Sequence, residues 1–126
     1  MSSFCWGCLH WFDVRPLAEY NCRSSWSRLG GVYIFVKQWD QYLQPIYIGS
    51  TKSFKARLPY HEEWFNSQRY GATHIHTRVE TQPDVRRNLE QFLIAALRPR
   101  LNTHYRCWKV SEADRSFILS TSFAVP

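Results

Sequence analysis

Four side chains in this sequence have the types that phosphodiester hydrolysis requires: the phenols of Tyr33 and Tyr47, the guanidinium of Arg57 and the carboxylate of Glu90. Breaking such a bond takes a water nucleophile, a base for its proton, stabilisation of charge on the phosphate oxygens and help for the leaving oxygen. A guanidinium can grip a phosphate with two parallel donors. One carboxylate can hold a Mg²⁺ or Mn²⁺ ion, a hard cation that needs few protein oxygens beside those of water and phosphate. A phenol, with an ordinary pKa of about 10, is a poor base near neutrality. It needs a neighbour, and His61, four residues after Arg57, is the natural proton acceptor with its ordinary pKa of about 6.5.

Taken singly, each residue has a commoner role. A strand tyrosine usually packs. Arg57 stands in a basic stripe with Lys52 and Lys55, and Glu90 follows Arg86 and Arg87 at spacings that favour pairing on a helix surface. The case for chemistry lies in the whole set and its order, and therefore in the elements that would bring the set together.

From Gly31 to Lys37, Val32, Ile34 and Val36 alternate with Tyr33 and Phe35 at the period of a strand. The polar stretch 38–44 reads as a loop. Ile46-Tyr47-Ile48-Gly49 reads as a second strand with isoleucine and tyrosine on opposite faces. An antiparallel hairpin, its loop longer than the tight two-residue kind, would set both tyrosines on one face. Ser50 to Ser53 offers a cap for helical structure running toward Gln68, which Pro59 interrupts. Either a first turn ends near Leu58 or a second helix starts at Pro59. Over 72–80, Ile75, Thr77 and Val79 alternate with His74, His76 and Arg78, a third strand. Thr81-Gln82-Pro83-Asp84 has capping-box form with Thr81 as cap. Val85, Leu89, Phe92, Leu93, Ala96 and Leu97 then place Glu90 on an amphipathic helix that Pro99 stops. Residues 1 to about 28 hold many aromatics without clean periodicity and read as a packed irregular or partly helical extension. A short helix over 112–119 is expected in the tail.

In order, Gly31-Val32-Tyr33, Tyr47-Ile48-Gly49, Arg57, His61, Glu90 and Leu101-Asn102 resemble the motifs of the GIY-YIG nuclease family, with Val32 where the family name has isoleucine. The resemblance covers about residues 31–102. It implies an α/β (α+β) fold, a small, mostly antiparallel three-stranded sheet flanked by helices. Residues 1–30 would be an N-terminal extension packed on the core, 31–102 the catalytic core and 103–126 a C-terminal extension of the same domain. The resemblance also implies a metal-dependent endonuclease acting on DNA. Tyr33 stands at the position of the proposed general base, Arg57 and Tyr47 at those that hold the phosphate, and Glu90 at that of the ligand to a single Mg²⁺ or Mn²⁺. Some restriction-type members carry a histidine where His61 stands, and Asn102 matches an asparagine that orders the architecture.

A chain of 126 residues suffices for one core and not for two. Sixteen Lys and Arg against ten Asp and Glu leave a charge of +6, which favours a polyanion such as DNA, duplex or single-stranded. Lys52, Lys55, Arg69, Arg86 and Arg87 are the candidate backbone contacts. The aromatic share of 17% could fill a core or stack on bases, and composition does not separate the two uses. Monomer and homodimer both stay open. No apolar run is long enough to span a bilayer and no signal-peptide pattern opens the chain. An intracellular, reducing setting is therefore expected, with the four cysteines free or metal-bound rather than paired. Cys5-x-x-Cys8 with His10 and Cys22 could assemble a zinc site, but the usual second pair is missing and buried thiols are the favoured reading. His74 and His76, two apart on one strand face, could chelate, yet fit a solvated polar face better. Two rival functions remain: a non-catalytic nucleic-acid-binding module on the same scaffold, and a small zinc-stabilised interaction domain.

Overall fold

Alternating β-branched and aromatic residues become five strands in the computed structural model, which describes residues 2–6, 10–16, 26–40 and 42–102. They are β1 (Ser2–Trp6), β2 (His10–Pro16), β3 (Gly31–Trp39), β4 (Tyr42–Thr51) and β5 (His74–Val79). All pair antiparallel in one sheet of order β1-β2-β5-β3-β4. The α+β class agrees with the sequence, while the expected three strands become five. Of the described residues before Gly31, 26–30 are the expected irregular segment, packed on the core through Trp26, whereas the others form strands: β2 pairs directly with β5 and β1 with β2. Their period was obscured because Trp11 points to solvent, so the apolar set Phe4, Trp6 and Phe12 does not stand out from its neighbours.

The hairpin also differs from expectation. Residues 38–44 are not a long loop: β3 and β4 continue to Trp39 and Tyr42, which face each other across the turn. Asp40 takes the positive φ of 49° that so tight a reversal demands. Polar residues there lie within paired strands, at exposed or half-buried positions. A bulge lies between Phe35 and Val36 of β3, where Tyr47 and then Pro45 are the partners on β4, leaving Ile46 unpaired. As a result Ile46 and Tyr47 share one core cluster and Ile48 alone faces the other, where simple alternation put Tyr47 opposite both. Pro45 is tolerated because β4 is an edge strand.

Pro59 resolves toward the first alternative. Helix α1 (Phe54–Arg57) is capped by the Ser53 hydroxyl on the amide of Ala56. A 3-10 turn at Leu58–Tyr60 carries the proline at its start, and α2 (Glu63–Arg69) follows. Helix α3 (Pro83–Leu97) starts from Gln82, not from a Thr81 capping box, with proline in its first turn. The Thr81 carbonyl instead accepts from Arg86 Nη1. Arg98, in the left-handed region, closes the helix, its N–H returning to the Ile94 carbonyl.

β3 is apolar on both faces and is the wall between two clusters. Val32, Ile34 and Val36 meet Leu89, Leu93 and Ala96 of α3 together with Phe4, Trp6 and Phe12. Tyr33 and Phe35 meet Trp26, Phe54, Leu58 and Ile75 on the other side. His76 is fully buried on the first face, its Nδ1 accepting from Trp6 Nε1 at 2.8 Å, which corrects the solvated face expected for the His74 and His76 pair. β1 and β2 are what cover it. Among the described residues no helix is long and apolar enough to cross a membrane. The expected helix over 112–119 lies outside the described residues.

Candidate active site

Tyr33 stands at the middle of the sheet with only 1% of its surface exposed. Its cross-strand partner is Gly49, and the ring lies flat over that residue. A methyl group on Gly49 would come within 2.5 Å of the Tyr33 Cζ, so the glycine of Tyr47-Ile48-Gly49 is required by the tyrosine it faces. Tyr47, two residues before Gly49 in the same unbroken register and so on the same side, has its ring centroid 6.4 Å from that of Tyr33. It is half-buried. Burial raises both phenol pKa values above the ordinary 10, and the charge of Glu90 adds to the rise at each, while Arg57 opposes it.

The broken helical segment delivers the other two groups. The 3-10 turn sends His61 back to the sheet, buried, with its ring edge-on to both tyrosines. His61 Nε2 is 2.5 Å from the Tyr33 hydroxyl. The backbone N–H of Glu63 donates to His61 Nδ1 at 3.0 Å. Because Nδ1 accepts, a neutral ring keeps its proton on Nε2 and donates it to the Tyr33 oxygen. Burial first, and the Arg57 charge second, hold the His61 pKa down to about 4, so the neutral ring dominates at pH 7. Arg57 is part exposed and clasps Glu62 with both terminal nitrogens, at 2.6 and 2.7 Å. That bond raises the Arg57 pKa and pulls the Glu62 carboxyl down to about 2.

Helix α3 packs on the opposite face, and its Glu90 meets the edge strand at Ser50, whose hydroxyl donates to Oε1 at 2.9 Å. Burial raises the Glu90 pKa, against the lowering effect of Ser50 and of Arg87. The expected surface pairing with Arg86 or Arg87 does not form as a salt bridge. A half-buried carboxylate whose charge is penalised is relieved by a cation. Among the described residues no three His, Cys, Asp or Glu gather to hold a metal, so any ion here would take one protein carboxylate and complete its shell with water and phosphate. An open cleft of about 260 Å³ adjoins Ser50 and is lined by Thr51, Lys52, Pro83, Arg86 and Arg87. Three of the five expected basic contacts thus share one wall; Lys55 on α1 and Arg69 on α2 lie outside it.

Asn102 acts on the outer edge of β4. Its Oδ1 accepts from the Ile48 N–H and its Nδ2 donates to the Ile48 carbonyl, both at 2.7 Å. One amide side chain therefore makes the pair of bonds a sixth strand would make, next to Tyr47. No sequence signal marks Glu62 as the partner of Arg57. Ser50 has one: two residues after Ile48, it shares the face of β4 that meets α3. Of the zinc candidates, Cys5 is half-buried on β1, while Cys8 and Cys22 lie outside the described residues, as does the side chain of His10.

No protein-family profile and no curated protein matches the chain. Solved structures do. The GIY-YIG N-terminal endonuclease domain of UvrC from Thermotoga maritima, bound to its catalytic divalent cation magnesium, matches at 30% identity with a TM-score of 0.53, over 64% of this chain and 91% of that one. A tyrosine-to-phenylalanine mutant of the same domain, bound to its catalytic divalent cation, matches at 31% identity and TM-score 0.53, over 66% and 92%. An asparagine-to-alanine mutant, also with its catalytic cation, gives 29% and 0.54, over 65% and 91%.

Proposed function

This chain belongs to the GIY-YIG nuclease family, and from that premise we propose that it is a metal-dependent endonuclease hydrolysing phosphodiester bonds in DNA. One observation carries the reading: the Tyr33 and Tyr47 rings lie 6.4 Å apart with the buried His61 ring edge-on to both, its Nε2 2.5 Å from the Tyr33 hydroxyl. Glu90, steadied by Ser50, is the residue to hold a single Mg²⁺ or Mn²⁺. Bound there, such an ion supplies charge stabilisation for the departing oxygen.

The chain's own groups divide the rest. Arg57 exchanges the Glu62 carboxylate for the scissile phosphate, since both anions accept the same two-pronged geometry. Tyr47 donates its hydroxyl proton to a phosphate oxygen. Tyr33 takes the proton from the attacking water at its Oη. His61 donates from Nε2 to that same oxygen and so steadies the phenolate form. This role reverses the relay read from the sequence, in which His61 accepted the proton. Asn102 keeps β4, and with it Tyr47, in register. Lys52, Arg86 and Arg87 draw the flanking backbone into their cleft, with Lys55 and Arg69 as more distant contributors.

Purified protein on supercoiled plasmid with Mg²⁺ or Mn²⁺ should nick it, and Glu90→Gln and Arg57→Ala should each abolish nicking with an unchanged circular-dichroism spectrum. DNA binding without nicking across several divalent ions would instead make the chain a non-catalytic binding module.

A further inference from the structure

The face of β3 that carries Tyr33 and Phe35 continues past the catalytic groups to Lys37 and Trp39 at the hairpin tip, where Tyr42 stands opposite Trp39. The Trp39 and Tyr42 rings are 5.8 Å apart and tilted by 34°. Neither belongs to a core cluster, and they are 41% and 52% exposed. The Lys37 ammonium lies 4.8 Å from the Trp39 ring centroid. Its methylenes run over Gly71, whose φ of +95° and missing side chain leave them room. Beside Gly71, the part-exposed Tyr70 ring carries the Arg100 guanidinium at 4.3 Å. Asp40, at the turn, is the only acid between residues 31 and 51.

Exposed rings next to cations, on a chain of charge +6, have the composition of a surface that stacks bases and pairs their phosphates. Bases within a duplex bury their faces against one another and cannot use such rings. We infer that the hairpin tip, through Trp39 and Tyr42 with Lys37, is a stacking platform for unpaired bases of the DNA substrate. Six residues of strand separate Tyr33 from Trp39, about 20 Å, or about six base-pair rises. The substrate class is therefore DNA with an unpaired stretch, a flap, gap or overhang, within that distance of the cut. This rests on the nuclease reading for the position of the cut, but the platform is measured by binding alone.

The test uses the full chain with Glu90→Gln, which cannot cut, titrated with a blunt duplex and with the same duplex bearing a six-nucleotide single-stranded tail. The parent should prefer the tailed DNA. Trp39→Ala and Tyr42→Ala should each weaken tailed binding about 5- to 100-fold and leave blunt binding within twofold, while Trp39→Phe retains most of the preference. Equal loss on both DNAs, or no loss on either, overturns the platform, as does a parent that binds neither. Nicking by the unmutated Glu90 chain is scored separately: a protein that prefers tails yet never cuts refutes the nuclease reading and keeps the platform. Cutting with no effect of Trp39→Ala does the opposite.

Discussion

The proposed base, Tyr33, lies where burial and the nearby Glu90 charge keep its phenol protonated well above pH 10. The fraction of phenolate at neutrality is then small and grows tenfold for each pH unit. Cutting by the unmodified chain should therefore rise steeply, up to about tenfold per unit, between pH 7 and 9, and a flat profile there would exclude Tyr33 as the base. Tyr33→Phe should cost about 10²- to 10⁴-fold in rate with DNA binding retained. At this scale the sequence shows the chemical types on which the proposed site draws, those of Tyr33, Tyr47, Arg57 and Glu90. It was not legible where the role depends on a partner brought in by folding. Glu62 shares no motif with Arg57, and the direction of the His61 bond is set by the backbone N–H of Glu63, which no side-chain pattern encodes.

Among the elements, β4 is the one whose details decide the site. It carries a bulge that brings Ile46 onto the face of Tyr47, a glycine that makes room for Tyr33 and an edge closed by Asn102. Gly49→Ala should destabilise the protein by about 1–3 kcal/mol through overpacking against the Tyr33 ring. A urea midpoint equal to that of the parent would show that the ring is not held where it lies. Period-2 alternation identified β3 and β5 because β-branched residues recur at every second position, Val32, Ile34 and Val36 in the one and Ile75, Thr77 and Val79 in the other. It failed at β1 and β2, where aromatic residues occupy both faces, and at the hairpin tip, where strand pairing persists after burial ends. The bulge was invisible for a related reason: one extra residue in a run as short as Ile46 to Gly49 leaves the pattern looking regular. Pro59 was ambiguous by nature, since a proline opens a 3-10 turn as readily as a helix.

For the molecule as a whole, two buried histidines tie the sheet's two faces to pH. His61 on one face and His76 on the other have folded pKa values lowered to about 4 and about 3, by burial first, against 6.5 in the unfolded chain. Between those limits the unfolded state binds protons that the folded state refuses, so stability is full above about pH 6.5 and falls as the medium is acidified. Glu90, its pKa raised by burial, acts in the opposite sense and offsets part of the loss. Urea midpoints at pH 7.5, 6 and 5 should decline in that order, with an uptake of roughly one to two protons on unfolding; a constant midpoint would contradict the burial of both rings. The sheet's outer boundary beside Tyr47 raises a separate matter of endurance. A single primary amide stands in there for a whole missing strand. Should slow hydrolysis convert Asn102 to aspartate, the oxygen replacing Nδ2 would confront the Ile48 carbonyl as acceptor against acceptor. Chemical ageing at one atom would then loosen the border strand that carries Tyr47.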